Sequence, residues 1–375
     1  MNRRLLFLSD RYPPDLGGVA TSAGRITRAL AAMGHEVDVV TWTRMLEPGR
    51  VVQEEGAPSV RRMGRFRSWD MTMPHTQILL EWLASRERYD AVWGHYLFPG
   101  GFLAVWFARL TGMPSVVSVR GNDLDREMFP PGDFARLQWT LREARLVMAV
   151  TRDLARKACA LTGRDDVGCL RNTVDTEVFA PGPCADWAKL GIRPDEAVLG
   201  FAGELREKKG LKHLLQALRD VQKVRPACLL IIGDVRPSEL PPGNLEEQRI
   251  LITGQLTAPA EVNAHLQLCD VYLQPSLWDG MPNALLEAMS AGCGCIGSDA
   301  GGIPEIIEPG VNGILLPRWQ LHRLGEAVLE WLDAAPEHRE GIQRAARAHM
   351  LEEFSLECER RQLQALLERL IPSWP

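Results

Sequence analysis

The chain has 375 residues, beyond the size that one hydrophobic core usually serves, so two domains are expected. A composition of 46% hydrophobic and 24% charged residues is that of a folded protein in water, and no apolar run reaches the roughly 18 to 20 residues that span a bilayer, which excludes an integral membrane protein. The net charge of −5 divides into +4 over residues 1–176 and −9 over the rest, too little positive charge to argue for nucleic acid, although the first half suits an anionic acceptor or a membrane surface.

The first apolar run is only four residues long and is followed by Asp10 and Arg11, so it reads as a strand and not as a signal peptide. The expected location is the cytoplasm, peripheral at most at the inner face of the membrane. Strands are predicted at Leu5 to Ser9, Val37 to Trp42, Ala91 to Trp93, Ser115 to Val119 and Leu146 to Val150, with helical patterns between them at Val19 to Met33, Thr76 to Arg88 and Gly101 to Leu110. This alternation implies a parallel, doubly wound α/β sheet. Asn172 to Asp195, rich in Pro and Gly, reads as a linker. A second Rossmann-like set of strands follows at Ala197 to Gly203, Cys228 to Gly233, Ile250 to Thr253, Val271 to Gln274 and Cys295 to Ser298. The domains are placed at 1–176 and 177–345, with the tail 346–375 part of one long helical pattern from Arg339 to Leu370. The eight cysteines form no CxxC pair and are expected as reduced thiols.

Several segments carry chemistry. Gly17 and Gly18 follow the first strand, where glycines let a ligand approach backbone amides at the strand's carboxyl end. They do not form a GxGxxG pattern, which argues against an NAD enzyme. Residues 61–74 interleave four arginines with Phe, Trp and Met and read as a packed surface loop with solvated arginines, a lipid contact being the alternative. His95 follows a strand and is either packed or ligand-facing. Arg120 ends another strand, where its guanidinium can fork onto an anionic group, while Asn122 and Asp123 beside it either bind acceptor hydroxyls or, in the case of Asp123, cap the next turn.

In the second half, Gly203, Glu204, Arg206, Lys208, Lys209 and Gly210 lie just beyond a strand. A cation here can stabilise charge that grows on a departing diphosphate. Trp278-Asp279-Gly280-Met281-Pro282-Asn283 then leads into a helix ending near Gly292, with Pro282 expected in its first turn. The free amides of such a helix start attract a diphosphate, and Glu287, one turn inside on the face of Asn283, suits a ribose diol. Ala300-Gly301-Gly302-Ile303-Pro304-Glu305 offers a further pair of glycines.

Asp279 and Glu287, separated by seven residues, together with the Gly17-Gly18 loop, the Gly34-His35-Glu36-Val37 ending of its helix and Lys209-Gly210, resemble the retaining glycosyltransferases of family 4 (glycosyl transferases group 1), which have the two-domain GT-B fold. The resemblance implies a UDP-, GDP- or ADP-sugar donor, a glycan, lipid-linked or small-molecule acceptor, and a reaction in the cleft between the domains. It assigns Lys209 to the diphosphate, with Arg206 or Lys208 the candidate second cation from a neighbouring position, Asp279 to the sugar, and Gly280 to Asn283 and Glu287 to the nucleotide. It also implies that the last helix returns to the first domain. Asn172-Thr173-Val174-Asp175 resembles the family's segment at the domain junction. Two positions depart from the pattern: Glu204 stands where the family has Arg, and Arg120 where it often has His. No Asp-x-Asp motif ends a strand, so neither a catalytic metal nor a cofactor is implied. The competing readings are a nucleotide-sugar epimerase or hydrolase of the same fold, and a sugar-nucleotide-binding protein that has lost catalysis.

Overall fold

The structure is a computed structural model that describes residues 2–126, 128–239 and 243–371. It divides into two units, one built from the residues up to Asn172 together with those from Glu359 onward, the other spanning Thr173–Cys358. The expected boundaries at 176 and 345 therefore move to 172 and 358, and most of the Pro/Gly-rich stretch belongs to the second unit.

In the first unit, β1 (Arg4–Ser9), β2 (Glu36–Thr43), β3 (Val51–Glu54), β4 (Ser59–Gly64), β5 (Ala91–His95), β6 (Ser115–Val119), β7 (Leu146–Ala149) and β8 (Gly168–Cys169) form one sheet. Its order is β3-β4-β2-β1-β5-β6-β7-β8, parallel except where β3 meets β4. The strand β1 runs through Leu5 to Leu8 without polar alternation because helices cover both faces. Leu5 and Phe7 face a core with Ile26 and Leu30, whereas Leu6 and Leu8 face one with Trp42, Leu80 and Phe107. The helices are α1 (Gly18–Ala32), α2 (Trp69–Ala84), α3 (Phe102–Thr111), the short α4 (Asn122–Asp125), α5 (Pro131–Glu143) and α6 (Arg152–Thr162).

In the second unit, β9 (Ala197–Ala202), β10 (Ala227–Ile232), β11 (Ile250–Ile252), β12 (Val271–Gln274), β13 (Cys295–Ser298) and β14 (Ile314–Leu316) form a fully parallel sheet in the order β11-β10-β9-β12-β13-β14. The helices α7 (Leu211–Gln222), α8 (Pro259–Leu266), α9 (Asn283–Ser290), α10 (Leu324–Asp333) and α11 (Pro336–Glu353) complete it. The last helix, α12 (Leu356–Leu370), begins in this unit and continues into the first, where Leu363, Leu366, Leu367 and Leu370 join the core of Leu5 and Phe7.

Two expectations are corrected. The long helical pattern after Arg339 breaks at Phe354 and Ser355, where a backbone bridge to Val174 interrupts it. The basic stretch at 61–74 is not a loop throughout: Arg61 and Arg62 lie in β4, and Trp69 opens α2. Arg61 is buried against Asp38 at 2.5 Å and Arg62 pairs with Glu54 at 2.5 Å, so these arginines hold the sheet edge together and are not free for lipid. Among the described residues no helix is long and apolar enough to cross a membrane.

Candidate active site

The site residues of the second unit lie on the loops that leave the carboxyl ends of β9 and β12, adjacent central strands, where ligands bind in open α/β sheets. After β9 a single 3₁₀ turn, Glu207–Lys209, carries the two lysines and ends at Gly210. Gly210 has φ +86°, and a Cβ there would stand 2.1 Å from Pro275 O. Only glycine lets this turn press against the loop after β12, and Leu277 N–H seals the contact by donating to Lys208 O at 2.9 Å.

That approach brings Lys209 Nζ into an ion pair with Asp279 Oδ2. Ser276 Oγ donates to the same carboxylate oxygen at 3.3 Å. Behind Ser276 runs a buried chain in which Tyr272 Oη donates to Gln274 Oε1 and Gln274 Nε2 donates to Ser276 Oγ, both at 2.9 Å. The carboxylate is thus held from one side by a cation and from the other by a satisfied polar chain.

Helix α9 starts beside this pair. Pro282 is its cap residue, with ψ 116°, and not part of its first turn, while Gly292 at φ +84° lies just past its end as expected. No side chain caps the helix, so the first-turn amides keep the anion-attracting character of an open helix start. Asn283 Oδ1 is buried there without a hydrogen-bond partner, and Glu287 stands half-buried one turn further on. Met281 is buried. Gly301, with φ +53°, would place a Cβ 1.6 Å from Asp279 O, and Gly302 N–H donates to Gly280 O at 2.7 Å, so this second glycine pair packs one loop against another.

Glu204 is exposed and bridges two guanidiniums, Arg206 and Arg236, the latter at 2.8 Å. Although partial burial opposes it, the pairing with Arg236 and Arg206 holds the Glu204 carboxyl below the ordinary range. Arg206 is therefore paired with Glu204. Lys208 is half-buried, and burial together with the charge of Lys209 lowers its ammonium. Gly203, with φ +108°, has no atom within 4 Å of where a Cβ would stand.

In the first unit, Gly17 takes φ +111° at the head of α1, and at neither Gly17 nor Gly18 would an added Cβ meet any atom within 4 Å. His95 and Asp123, suggested for the acceptor, are both fully buried. His95 Nε2 shares a hydrogen bond of 2.9 Å with Ser22 Oγ, and burial with Arg120 nearby keeps its imidazole pKa well below the usual value. The Asp123 carboxylate accepts from the N–H groups of Arg120 at 3.0 Å, Gly121 at 2.7 Å and Leu97 at 3.2 Å. It pins two loops together, and burial pushes its carboxyl up to about 6. Arg120 donates to Asn172 Oδ1, which also accepts from Arg25 at 3.3 Å, and Arg25 forms two bonds of 2.9 Å to the buried Glu359 of α12. Its guanidinium is held within the unit's own framework. Of the three suggested acceptor residues, Asn122 alone is exposed. Among the described residues no group of three or more His, Cys, Asp and Glu side chains gathers as a metal site would.

Residues 196–334 match the family model for glycosyl transferases group 1, and residues 17–172 match that for the glycosyl transferase 4-like domain. The chain belongs to the group 1 glycosyltransferases. It is 24% identical over 356 residues to N-acetyl-alpha-D-glucosaminyl L-malate synthase of Bacillus anthracis, covering 92% of each chain. Sucrose-phosphate synthase of Thermosynechococcus elongatus superposes with a TM-score of 0.80 at 18% identity, covering 100% of both chains. Anabaena HepE, solved in complex with UDP-glucose, gives 0.78 at 18% identity over 98% of this chain and 100% of its own. These likenesses establish the GT-B fold.

Sequence reasoning missed several partners of the residues it singled out. Tyr272 and Gln274 alternate along one face of β12, and Ser276 continues the spacing into the Asp279 loop, a period-two signal that was legible. Arg236 was not, since only the parallel pairing of β9 and β10 brings it to Glu204. Glu359 was hidden too, because it lies on α12, 334 residues from Arg25 of α1.

Proposed function

We propose that this glycosyltransferase moves a sugar from a nucleoside diphosphate sugar to an acceptor hydroxyl with retention of anomeric configuration and without a catalytic metal. The observation that carries the reading is the Lys209–Asp279 ion pair beside the uncapped start of α9. A diphosphate arriving at the α9 amides takes over the Lys209 ammonium, whose charge stabilises the leaving group as the sugar–phosphate bond breaks. Asp279, released from the lysine, accepts hydrogen bonds from sugar hydroxyls while Ser276 holds it in place. Asn283 and Glu287 bind the nucleoside, with Glu287 on the ribose diol. Retention rests on the family resemblance. The UDP-glucose complex of HepE makes a uridine donor the first to assay among UDP-, GDP- and ADP-sugars.

The test is donor-dependent release of nucleoside diphosphate, followed by NMR of the product's anomeric proton. Turnover that persists in excess EDTA and yields the donor's own anomer supports the reading. An inverted product, or turnover abolished by EDTA and restored by a divalent cation, overturns it.

A further inference from the structure

Helix α2 carries its polarity the wrong way round for a helix that faces water. Its buried side holds Thr72, Thr76, Gln77, Leu80 and Leu83, while Met71, His75, Ile78 and Trp82 are exposed on the other. The four exposed positions follow the spacing i, i+4, i+7, i+11, so they form a single row about three turns long. Met71 is 55% exposed, Ile78 63% and Trp82 46%. Single apolar residues scattered on a surface need no explanation, whereas an aligned row does. The hydroxyls on the buried side are settled in the fold: Trp42 Nε1 donates to Thr76 Oγ1 at 2.8 Å, and Thr72 Oγ1 donates to Ser68 O at 2.9 Å. The helix thus satisfies its polar groups inside and leaves apolar area in water, where covering it favours a partner.

The charge around the row is one-sided. Arg67 precedes the Ser68 cap, and Arg86 and Arg88 follow the last turn. All three are exposed, and their guanidiniums make no hydrogen bond or ion pair with any described residue, although Arg86 lies over the Trp82 ring at 4.5 Å. The carboxylates between 67 and 88 are engaged elsewhere: Asp70 pairs with Arg136 at 3.4 Å and Glu87 with Arg4 at 2.7 Å, which leaves Glu81, held by the Gln77 amide at 3.1 Å, as the one without a cation. Three unpaired cations therefore stand against one uncompensated carboxylate. The helix dipole favours cations at the C-terminal end but opposes Arg67 at the N-terminal end, so helix stability does not account for the set. A second copy of the chain fits poorly. Antiparallel two-fold pairing of α2 would set Arg67 beside Arg86 and Arg88 of the other copy, and parallel pairing would set each arginine beside itself. An anionic lipid surface satisfies both features at once, the apolar row at the acyl boundary and the guanidiniums at the phosphates, with Trp82 and Arg86 at the level of the headgroups.

We infer that α2 lies along an anionic phospholipid surface, with Met71, Ile78 and Trp82 entering the acyl boundary and Arg67, Arg86 and Arg88 on lipid phosphates. At 16 residues the helix lies in the surface and does not cross it. The lipid contact suggested by residues 61–74 thereby moves from Arg61 and Arg62, which are paired within the sheet, to the outer face of the helix that follows them. The contact requires neither donor nor acceptor, so it goes beyond the proposed transfer reaction and does not depend on it.

Co-sedimentation of the full chain with vesicles tests this, comparing phosphatidylcholine alone with phosphatidylcholine containing about 30 mol% phosphatidylglycerol in about 0.1 M salt. The mixed vesicles are expected to carry the protein down at a lipid concentration about tenfold lower, and that advantage should shrink in about 0.5 M salt and in the triple variant Arg67→Gln/Arg86→Gln/Arg88→Gln. Ile78→Glu and Trp82→Glu are each expected to weaken binding about tenfold while the melting temperature holds, because both side chains are exposed in the folded chain. Insertion is read with a lipid brominated along its acyl chain, which should quench the tryptophan fluorescence of the wild type and quench that of Trp82→Phe less. Equal binding to the two kinds of vesicle, binding unchanged in both Ile78→Glu and Trp82→Glu, or quenching unchanged in Trp82→Phe overturns the inference. No binding to either vesicle overturns it too. So does a dimer in sedimentation velocity that Ile78→Glu dissolves, since a second copy would then cover the face.

Discussion

Lys209 and Asp279, 70 residues apart, hold each other in an ion pair, with 21% and 13% of their side chains exposed. On the proposed reading each stands in for a ligand of the other: the ammonium for sugar hydroxyls, and the carboxylate for a diphosphate. Lys209→Ala is expected to lower kcat by roughly 10²-fold or more, the scale of losing a transition-state stabiliser. It also leaves Asp279 half-buried without its cation. The double variant Lys209→Ala/Asp279→Asn separates the effects. Its melting temperature should recover toward wild type while kcat stays low, and a near-normal kcat in Lys209→Ala would remove the lysine from the reaction.

Glu204 imposes a second competition. Because it neutralises Arg206 and Arg236 together, a diphosphate must displace it to recruit either guanidinium. Glu204→Gln is expected to tighten UDP binding severalfold and to steepen its salt dependence, whereas Arg206→Ala should weaken binding about tenfold, in keeping with one charge-assisted hydrogen bond. Isothermal titration at two salt concentrations reads both. Weaker binding by Glu204→Gln would mean that the carboxylate positions the guanidiniums instead of withholding them.

The two glycine pairs, alike in sequence, behave differently. Gly301→Ala forces a carbon against Asp279 O at φ +53° and should lower Tm by several degrees along with donor affinity. Gly18→Ala meets no atom within 4 Å, so Tm should hold. If a ligand approaches the head of α1, its KM should nevertheless rise about tenfold, on the scale of one lost close contact. Unchanged kinetics in Gly18→Ala would assign that loop to folding alone.

The parallel strands were legible because both faces are covered, so runs such as Leu5-Leu6-Phe7-Leu8 stand out without any periodicity to interpret. The loops at Gly210 and Gly301 were legible because these two glycines serve backbone approaches no other residue permits. The β3–β4 edge was not, since Arg61 and Arg62 suggest a solvated loop until Asp38 and Glu54 are brought opposite them. His95 and Asp123 show their packed and capping alternatives. Polar residues at a strand's carboxyl end suggest a ligand site, and here their partners are backbone amides and a serine of the same unit.

Asp123 gives the protein a titration of its own. Its folded carboxyl, raised from 3.8 to about 6 by burial, holds a proton more tightly than in the unfolded chain. The burial is thus tolerated at low pH and costs stability as pH rises through that window, by about 3 kcal/mol in all and about 2 kcal/mol between pH 4.5 and 7.5. Asparagine does not titrate. Relative to wild type, Asp123→Asn should gain about that 2 kcal/mol across the same interval in urea unfolding. A stability difference that is constant with pH would show that the carboxylate carries no such shift.

Glu287 offers the sharpest check on the nucleotide assignment. A carboxylate one turn inside α9 stands close to where the diphosphate is proposed to bind, an unfavourable neighbour unless it accepts hydrogen bonds from the donor. The ribose diol is the group at the right remove from the α9 amides. Glu287→Gln keeps the shape and loses the charge, so the fold should persist while UDP affinity falls by about 1 to 3 kcal/mol, the scale of charge-assisted hydrogen bonds. The decisive comparison uses 2′-deoxy-UDP. Wild type should bind it more weakly than UDP by a similar factor, and in Glu287→Gln that gap should shrink, because the hydroxyl removed from the ligand is the one whose partner has been removed from the protein. An equally large gap in both proteins would place the ribose elsewhere and leave Glu287 a partner of its own unit alone.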